Sequence, residues 1–253
     1  MNDHELSVDL ATKAGKLLVS LRATMETEGA WPEEIMDAGD AAAHRFLMTE
    51  LTRYRPDDAV LSEEGADDHR RLEAHRVWIV DPLDGTREYG EPGRRDWAVH
   101  VALWEDGRLA AGAVTLPAFD LAFGTDPPPP VPHVPDRRPR MITSRFRAPY
   151  VAAVIAEAIG ADAVRLGSAG AKAMAVVMGE ADIYAHAGGM YEWDSAAPIA
   201  VAAAAGLHVS RIDGSPLIYN QPDPWMPDLL ICRPELAAPA LAAAHTVWHP
   251  SQG

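Results

Sequence analysis

Apolar residues recur every three or four positions at the start of the chain. Leu6, Leu10, Ala14, Leu17, Leu18 and Leu21 fall on one face, which predicts a helix over residues 4–22. A second helix is expected over 40–54, DAAAHRFLMTELTRY, with Asp40 at or near its N-cap. The period then changes. AVLS at 59–62 and VWIV at 77–80 are short apolar runs suited to buried strands. WAVHVALWEDGRLAAGAVTLP predicts two strands around an Asp106–Gly107 turn, and FDLAFG a further strand.

The second half alternates. RMIT, AVRL, ADIYAHA and LHVS read as strands. Between them PYVAAVIAEAIG, ending at Gly160, AGAKAMAVVMG and DSAAPIAVAAAAG, beginning near Asp194, read as helices. That alternation predicts an α/β architecture. The segment TDPPPPVPHVPDRRPR at 125–140 suits neither a helix nor a central strand. It predicts an exposed connector at 127–139 between an N-terminal α+β half, 1–126, and a C-terminal α/β half, 140–253. A long surface loop within one domain is the alternative. No repeat of fixed period is present.

Composition narrows the function classes. With 253 residues, 48% of them apolar, the chain is long enough for a sizeable core. No apolar run reaches the length of a membrane span, and MNDHELSVDL lacks the basic start and apolar core of a signal peptide. A soluble cytoplasmic protein without membrane partners is expected. One cysteine, Cys232, excludes an internal disulfide and a cysteine-based metal cluster. A net charge of −15 argues against binding nucleic acid. An anionic ligand would reach such a protein through bound cations.

Four acidic stretches carry the candidate chemistry: Glu63 and Glu64 in LSEEG, Asp81 and Asp84 in WIVDPLDGT, Asp194 in WDSAAP, and Asp40. Carboxylates at strand ends, with the Leu83 carbonyl in the stiff Pro82 turn, suit a hard cation such as Mg²⁺. A helix opening after Gly85 would leave the Gly85 and Thr86 amides free for a phosphate. Thr86 adds a hydroxyl to orient a water, and Asp40 could take that water's proton. These parts describe metal-assisted attack of water on a phosphate ester. Taken singly, Asp40 and Asp194 read equally as helix caps, and Glu64 as a solvated acid.

WIVDPLDGT, the upstream SEE and the downstream WDSAAP before a glycine-ended alanine helix resemble the inositol monophosphatase superfamily of Mg²⁺-dependent, lithium-sensitive phosphatases. LSEEG, DWAVHVALW, GSAGAKAMAV and YEWDSAAP resemble most its CysQ branch, whose members remove the 3′-phosphate of 3′-phosphoadenosine 5′-phosphate. The resemblance implies a layered αβαβα sandwich with the site between its halves. It implies one Mg²⁺ on Glu63, Asp81 and the Leu83 carbonyl, a second on Asp81, Asp84 and Asp194, and a third, weaker ion near Glu63. It implies that Thr86 and Asp40 activate the water, that the Gly85 and Thr86 amides receive the phosphate, and that Ser168 and Lys172 contact the nucleotide. A homodimer is plausible from the same precedent. The segment EEIMDAGD departs from the family in lacking a lysine before Asp40, which leaves Asp37 as an alternative base.

Arg87, Arg94 and Arg95 follow the phosphate loop, and one of them is a candidate for a second phosphate, Arg87 first. Trp97 and Trp193 read as core. Haloacid-dehalogenase-like phosphatases also end a strand in two aspartates followed by Gly-Thr. They space them by one residue, however, and the two between Asp81 and Asp84 predict hydrolysis without a phosphoenzyme. The competing readings are an inositol monophosphatase, a fructose-1,6-bisphosphatase or a specialised-metabolite phosphatase on this scaffold, and a non-catalytic metal- or nucleotide-binding regulator.

Overall fold

The computed structural model describes residues 1–133 and 137–247. The central part of the expected connector, 134–136, therefore lies outside the described residues. Two long helices open the chain, α1 (Asp3–Glu28) and α2 (Pro32–Tyr54). Five strands follow: β1 (Ala59–Ser62), β2 (Arg76–Asp84), β3 (Ala98–Glu105), β4 (Arg108–Leu116) and β5 (Leu121–Gly124). The short helix α3 (Thr86–Gly90) sits between β2 and β3. These strands form one sheet in sequence order, parallel between β1 and β2 and antiparallel elsewhere. Asp106 and Gly107 both take positive φ at the β3–β4 turn, the two-residue hairpin geometry that Asp-Gly favours.

The second sheet runs β7-β6-β8-β10-β9. Its strands are β6 (Arg140–Ser144), β7 (Asp162–Leu166), β8 (Ile183–Tyr191), β9 (His208–Ser210) and β10 (Trp225–Cys232). Its helices are α4 (Tyr150–Ile159), α5 (Ala169–Val177), α6 (Glu192–Ala204) and α7 (Pro234–Ala244).

Side-chain alternation along the strands builds five layers. In β2, Trp78 and Val80 face α1 and α2, where they meet Leu10, Leu18 and Leu47. Val77 and Ile79 face the other way, into a core shared with α5, α6 and the second sheet. In β10, Leu229 and Ile231 join that central core, while Leu230 and Cys232 pack under α4 and α7. The result is an αβαβα sandwich with α5 and α6 in the middle. Small residues make that middle layer thin: a Cβ on Gly112 of β4 would lie 2.9 Å from Ala200 of α6.

The expected elements are present, with three differences. Asp40 is not a cap. Trp31 occupies the N-cap and Pro32 the first helical position, so α2 starts eight residues earlier and Asp40 sits two turns inside it. β10, a central strand, was unforeseen because Pro227 interrupts it; the pairing with β8 shifts register there. α7 was likewise unforeseen. Among the described residues, no helix is long and apolar enough to cross a membrane.

Candidate active site

The site begins with an irregularity in β2. Asp81 pairs with His100 of β3 and Asp84 with Ala98, so three steps along β2 match two along β3. Residues three apart on a regular strand point to opposite faces. The extra residue of the bulge brings Asp81 and Asp84 back to the same side. Pro82 has no N–H to lose where the ladder breaks. The Leu83 amide donates to Asp81 Oδ1 at 3.0 Å and fixes the turn.

Gly85 then takes a left-handed conformation, φ 84°, and α3 opens at Thr86. A Cβ on Gly85 would also lie 2.9 Å from Ser168 Cβ. The Thr86 hydroxyl lies 3.0 Å from the Leu83 carbonyl and 3.2 Å from Asp40 Oδ1. Its single proton serves one acceptor at a time. Asp40 is pushed up to about 7, by burial first and then by Glu64 and Asp37, with the Thr86 contact opposing. Asp37 itself is exposed.

Asp194 arrives from the other half of the chain. It occupies the first turn of α6 and accepts from the Tyr191 amide at 2.6 Å, so it is both a cap and a member of the site. One carboxylate oxygen from each of Asp81, Asp84 and Asp194 lies within 4.8 Å of the others. The three acids respond differently. Asp81, 1% exposed, is pushed well above the usual carboxylate range by burial, then by Glu63 and Asp84. Asp194 rises to about 6, through burial and then Asp84. For Asp84, burial is outweighed by His100, Ser168 and Lys172, and the group falls to about 2.

The start of α5 explains the exception. Asp84 accepts from the Ser168 hydroxyl, from the Ala169 amide at 3.1 Å and from the Gly170 amide at 2.6 Å. His100 Nε2 faces the same carboxylate at 3.2 Å, too far off line for a hydrogen bond but close enough for an ion pair. His100 Nδ1 lies 3.1 Å from the Trp193 carbonyl. Both ring nitrogens thus face acceptors, an arrangement suited to the imidazolium. His100 links β3 to the residue just before Asp194. The sequence offered only a faint sign of it, a single histidine on the α5–α6 side of an apolar strand.

Glu63 follows β1, its amide 3.4 Å from the Val80 carbonyl. It is pushed up to about 7 by burial, then by Asp194, Glu64, Asp84 and Asp40. It is not one of the three acids whose oxygens cluster within 4.8 Å, and the resemblance puts it on a separate ion with Asp81 and the Leu83 carbonyl. Ser168 caps α5 by accepting from the Ala171 amide at 2.9 Å. Lys172 is neither solvent-exposed nor open to a ligand. It is 3% exposed and donates to the Gly167 carbonyl and, at 2.9 Å, to that of Ser168. Arg87 is exposed on α3. Arg94 pairs with Asp96, and Arg95 donates to the Ala118 carbonyl at 3.1 Å over the Phe119 ring. Trp97 is core, edge-on to Tyr89 at 5.0 Å. Trp193 is half-buried under Tyr191, the rings stacked at 4.7 Å.

Three clustered carboxylates, one of them fully buried without a cationic partner, are a costly arrangement unless a cation sits among them. All-oxygen donors fit a hard divalent ion such as Mg²⁺. A sequence profile described as "Inositol monophosphatase family" matches residues 2–126 and 134–248. The chain belongs to this family. Among family relatives, "3'-phosphoadenosine 5'-phosphate phosphatase" of Mycobacterium leprae is 46% identical over 98% of this chain and 95% of its own length. The protein of the same description from Mycobacterium tuberculosis is 48% identical over 93% and 90%. The crystal structure of CysQ from Bacteroides thetaiotaomicron superposes with a TM-score of 0.74 at 24% identity, covering 91% of this chain and 97% of that one. The family's enzymes depend on metal, and the aspartate trio is where this member has the donors for it.

Proposed function

We propose that this protein is a Mg²⁺-dependent phosphomonoesterase that converts 3′-phosphoadenosine 5′-phosphate and water to AMP and phosphate. The observation that carries the chemistry is the convergence of Asp81, Asp84 and Asp194 beside the Thr86–Asp40 pair. The substrate follows from the mycobacterial relatives, named for it at 46–48% identity. Asp81, Asp84 and Asp194 would hold one ion, Glu63, Asp81 and the Leu83 carbonyl would hold another, and a third would bind weakly near Glu63. Mg²⁺ held there would offset the carboxylate charge and supply Lewis-acid polarisation of the phosphoryl group.

The chain's own groups do the rest. The Gly85 and Thr86 amides, at the open end of α3, receive phosphoryl oxygens. Thr86 orients the attacking water and Asp40, poised near neutrality, takes its proton. The new P–O bond forms as the ester bond to the 3′-oxygen breaks, and that oxygen takes a proton from solvent water and leaves as a hydroxyl, while Asp40 returns its proton to solvent. No covalent aspartyl phosphate arises.

A phosphate-release panel tests this. It compares 3′-phosphoadenosine 5′-phosphate, inositol 1-phosphate and fructose 1,6-bisphosphate with Mg²⁺, with and without Li⁺. The adenosine bisphosphate should show the highest kcat/KM, and Li⁺ in the millimolar range should inhibit. Activity that survives exhaustive chelation would defeat the metal reading. Unchanged phosphate release by Asp84→Asn would favour the non-catalytic regulator.

A further inference from the structure

The proposed substrate carries two phosphates, and the acidic cluster accounts for one. Three arginines near the phosphate loop were candidates for the other, and Lys172 was expected to contact the nucleotide. Lys172 is buried and occupied by two carbonyls. Arg94 is paired with Asp96, and Arg95 is turned to the Ala118 carbonyl. Arg87 differs. It directly follows Thr86, is exposed, and has no carboxylate partner among the described residues.

What holds Arg87 instead is an aromatic ring from the other half of the chain. Its guanidinium carbon lies 4.7 Å from the centroid of Phe146, which is 54% exposed on the loop between β6 and α4. Arg145 lies 4.7 Å from the same centroid. Arg145 is anchored to Glu88 of α3 at 3.0 Å and to Glu91, its C-cap, at 3.2 Å. That anchor draws the loop onto α3 and sets Phe146 against Arg87. A guanidinium held over a ring makes no hydrogen bond to it, so its N–H fork stays available for a two-point contact with phosphate.

We propose that Arg87, propped by Phe146, forms a second anion seat that makes the site prefer nucleoside bisphosphates to monophosphates. The proposal rests on the phosphatase reading above. The seat takes a dianionic phosphate one ribose away from the reacting one. Its position on the turn after Thr86 ties it to the same substrate.

The test compares kcat/KM for 3′-phosphoadenosine 5′-phosphate and for 3′-AMP at fixed Mg²⁺, in wild type, Arg87→Ala, Arg87→Lys and Phe146→Ala. Both positions are exposed, and a thermal melt checks folding. Wild type should prefer the bisphosphate. Arg87→Ala should reduce that preference by a factor on the order of ten to a hundred, mostly through KM. Arg87→Lys keeps the charge but loses the fork and should fall between. Phe146→Ala should reduce the preference about two- to fivefold, the worth of an exposed cation–aromatic contact. Equal losses on both substrates, or an unchanged preference, would overturn the seat. A wild type that releases no phosphate from the bisphosphate but acts on another ester would instead overturn the substrate reading, and the seat with it.

Discussion

Asp194→Asn should stabilise the metal-free protein while weakening its hold on metal. In the absence of cations Asp194 ionises near 6 instead of 3.8, raised by burial and Asp84. At about 1.4 kcal/mol per pKa unit, holding it ionised at pH 8 costs at most ~3 kcal/mol. Asparagine keeps an oxygen for the Tyr191 amide, so the cap at the start of α6 survives. The sign follows from linkage: the folded value lies above the unfolded one. The penalty is therefore absent below about pH 4, grows as pH rises, and is complete above about 6. The assay is thermal unfolding with EDTA at pH 8 and pH 4. At pH 8 the variant should melt higher, at roughly 2–4 °C per kcal/mol for a chain of this size. At pH 4 the advantage should vanish. With Mg²⁺ at 100 times its dissociation constant, wild type gains about 2.7 kcal/mol, and the variant, short of one donor, gains less, so its advantage shrinks. A variant less stable than wild type in EDTA at pH 8, or equally favoured at pH 4, would refute the reasoning.

Other consequences are equally direct. Asp40→Asn should lower kcat by about 10²–10⁴ and remove a limb that rises with pH toward about 7, lower where bound cations assist ionisation; an unaltered limb in a pH–rate profile would acquit Asp40 as the base. Gly170→Ala places a Cβ 2.2 Å from Nε2 of fully buried His100 and should cost about 1–3 kcal/mol in urea unfolding, with weaker Mg²⁺ binding by calorimetry. Arg71→Ala should destabilise by about 3 kcal/mol, read from the same urea midpoint, because it strands Asp67 and the buried Asn220 side chain, now bonded at 2.7 and 2.6 Å.

Much of this was legible because the chain states it locally. The unbroken apolar run VWIV pointed to a buried strand, and DPLDGT marked its end as chemistry. What stayed hidden depends on partners distant in sequence. Asp40 looked like a cap because DAAAH opens an apolar period, whereas Pro32 with Glu33 and Glu34 was the stronger start signal. Lys172 read as a nucleotide contact because nothing in GSAGAKAM shows that its ammonium turns back to its own helix entrance. His100 gains its meaning from Asp84 on the neighbouring strand and from the Trp193 carbonyl in the other half of the chain, and Phe146 from Arg87 across the same divide. The expected Mg²⁺ donors on β2 were readable, but the bulge that aims them appears only when β3 is paired alongside.

Asp194 follows Asp84 by 110 positions, and it is the docking of α6 that brings it to the trio. A ribosome extending the chain at about 5–20 residues per second would release the first two acids well before the third. The growing polypeptide is thus a poor chelator for several seconds. It becomes a competent one only when its later portion closes over the earlier, so cation capture should report the end of biogenesis.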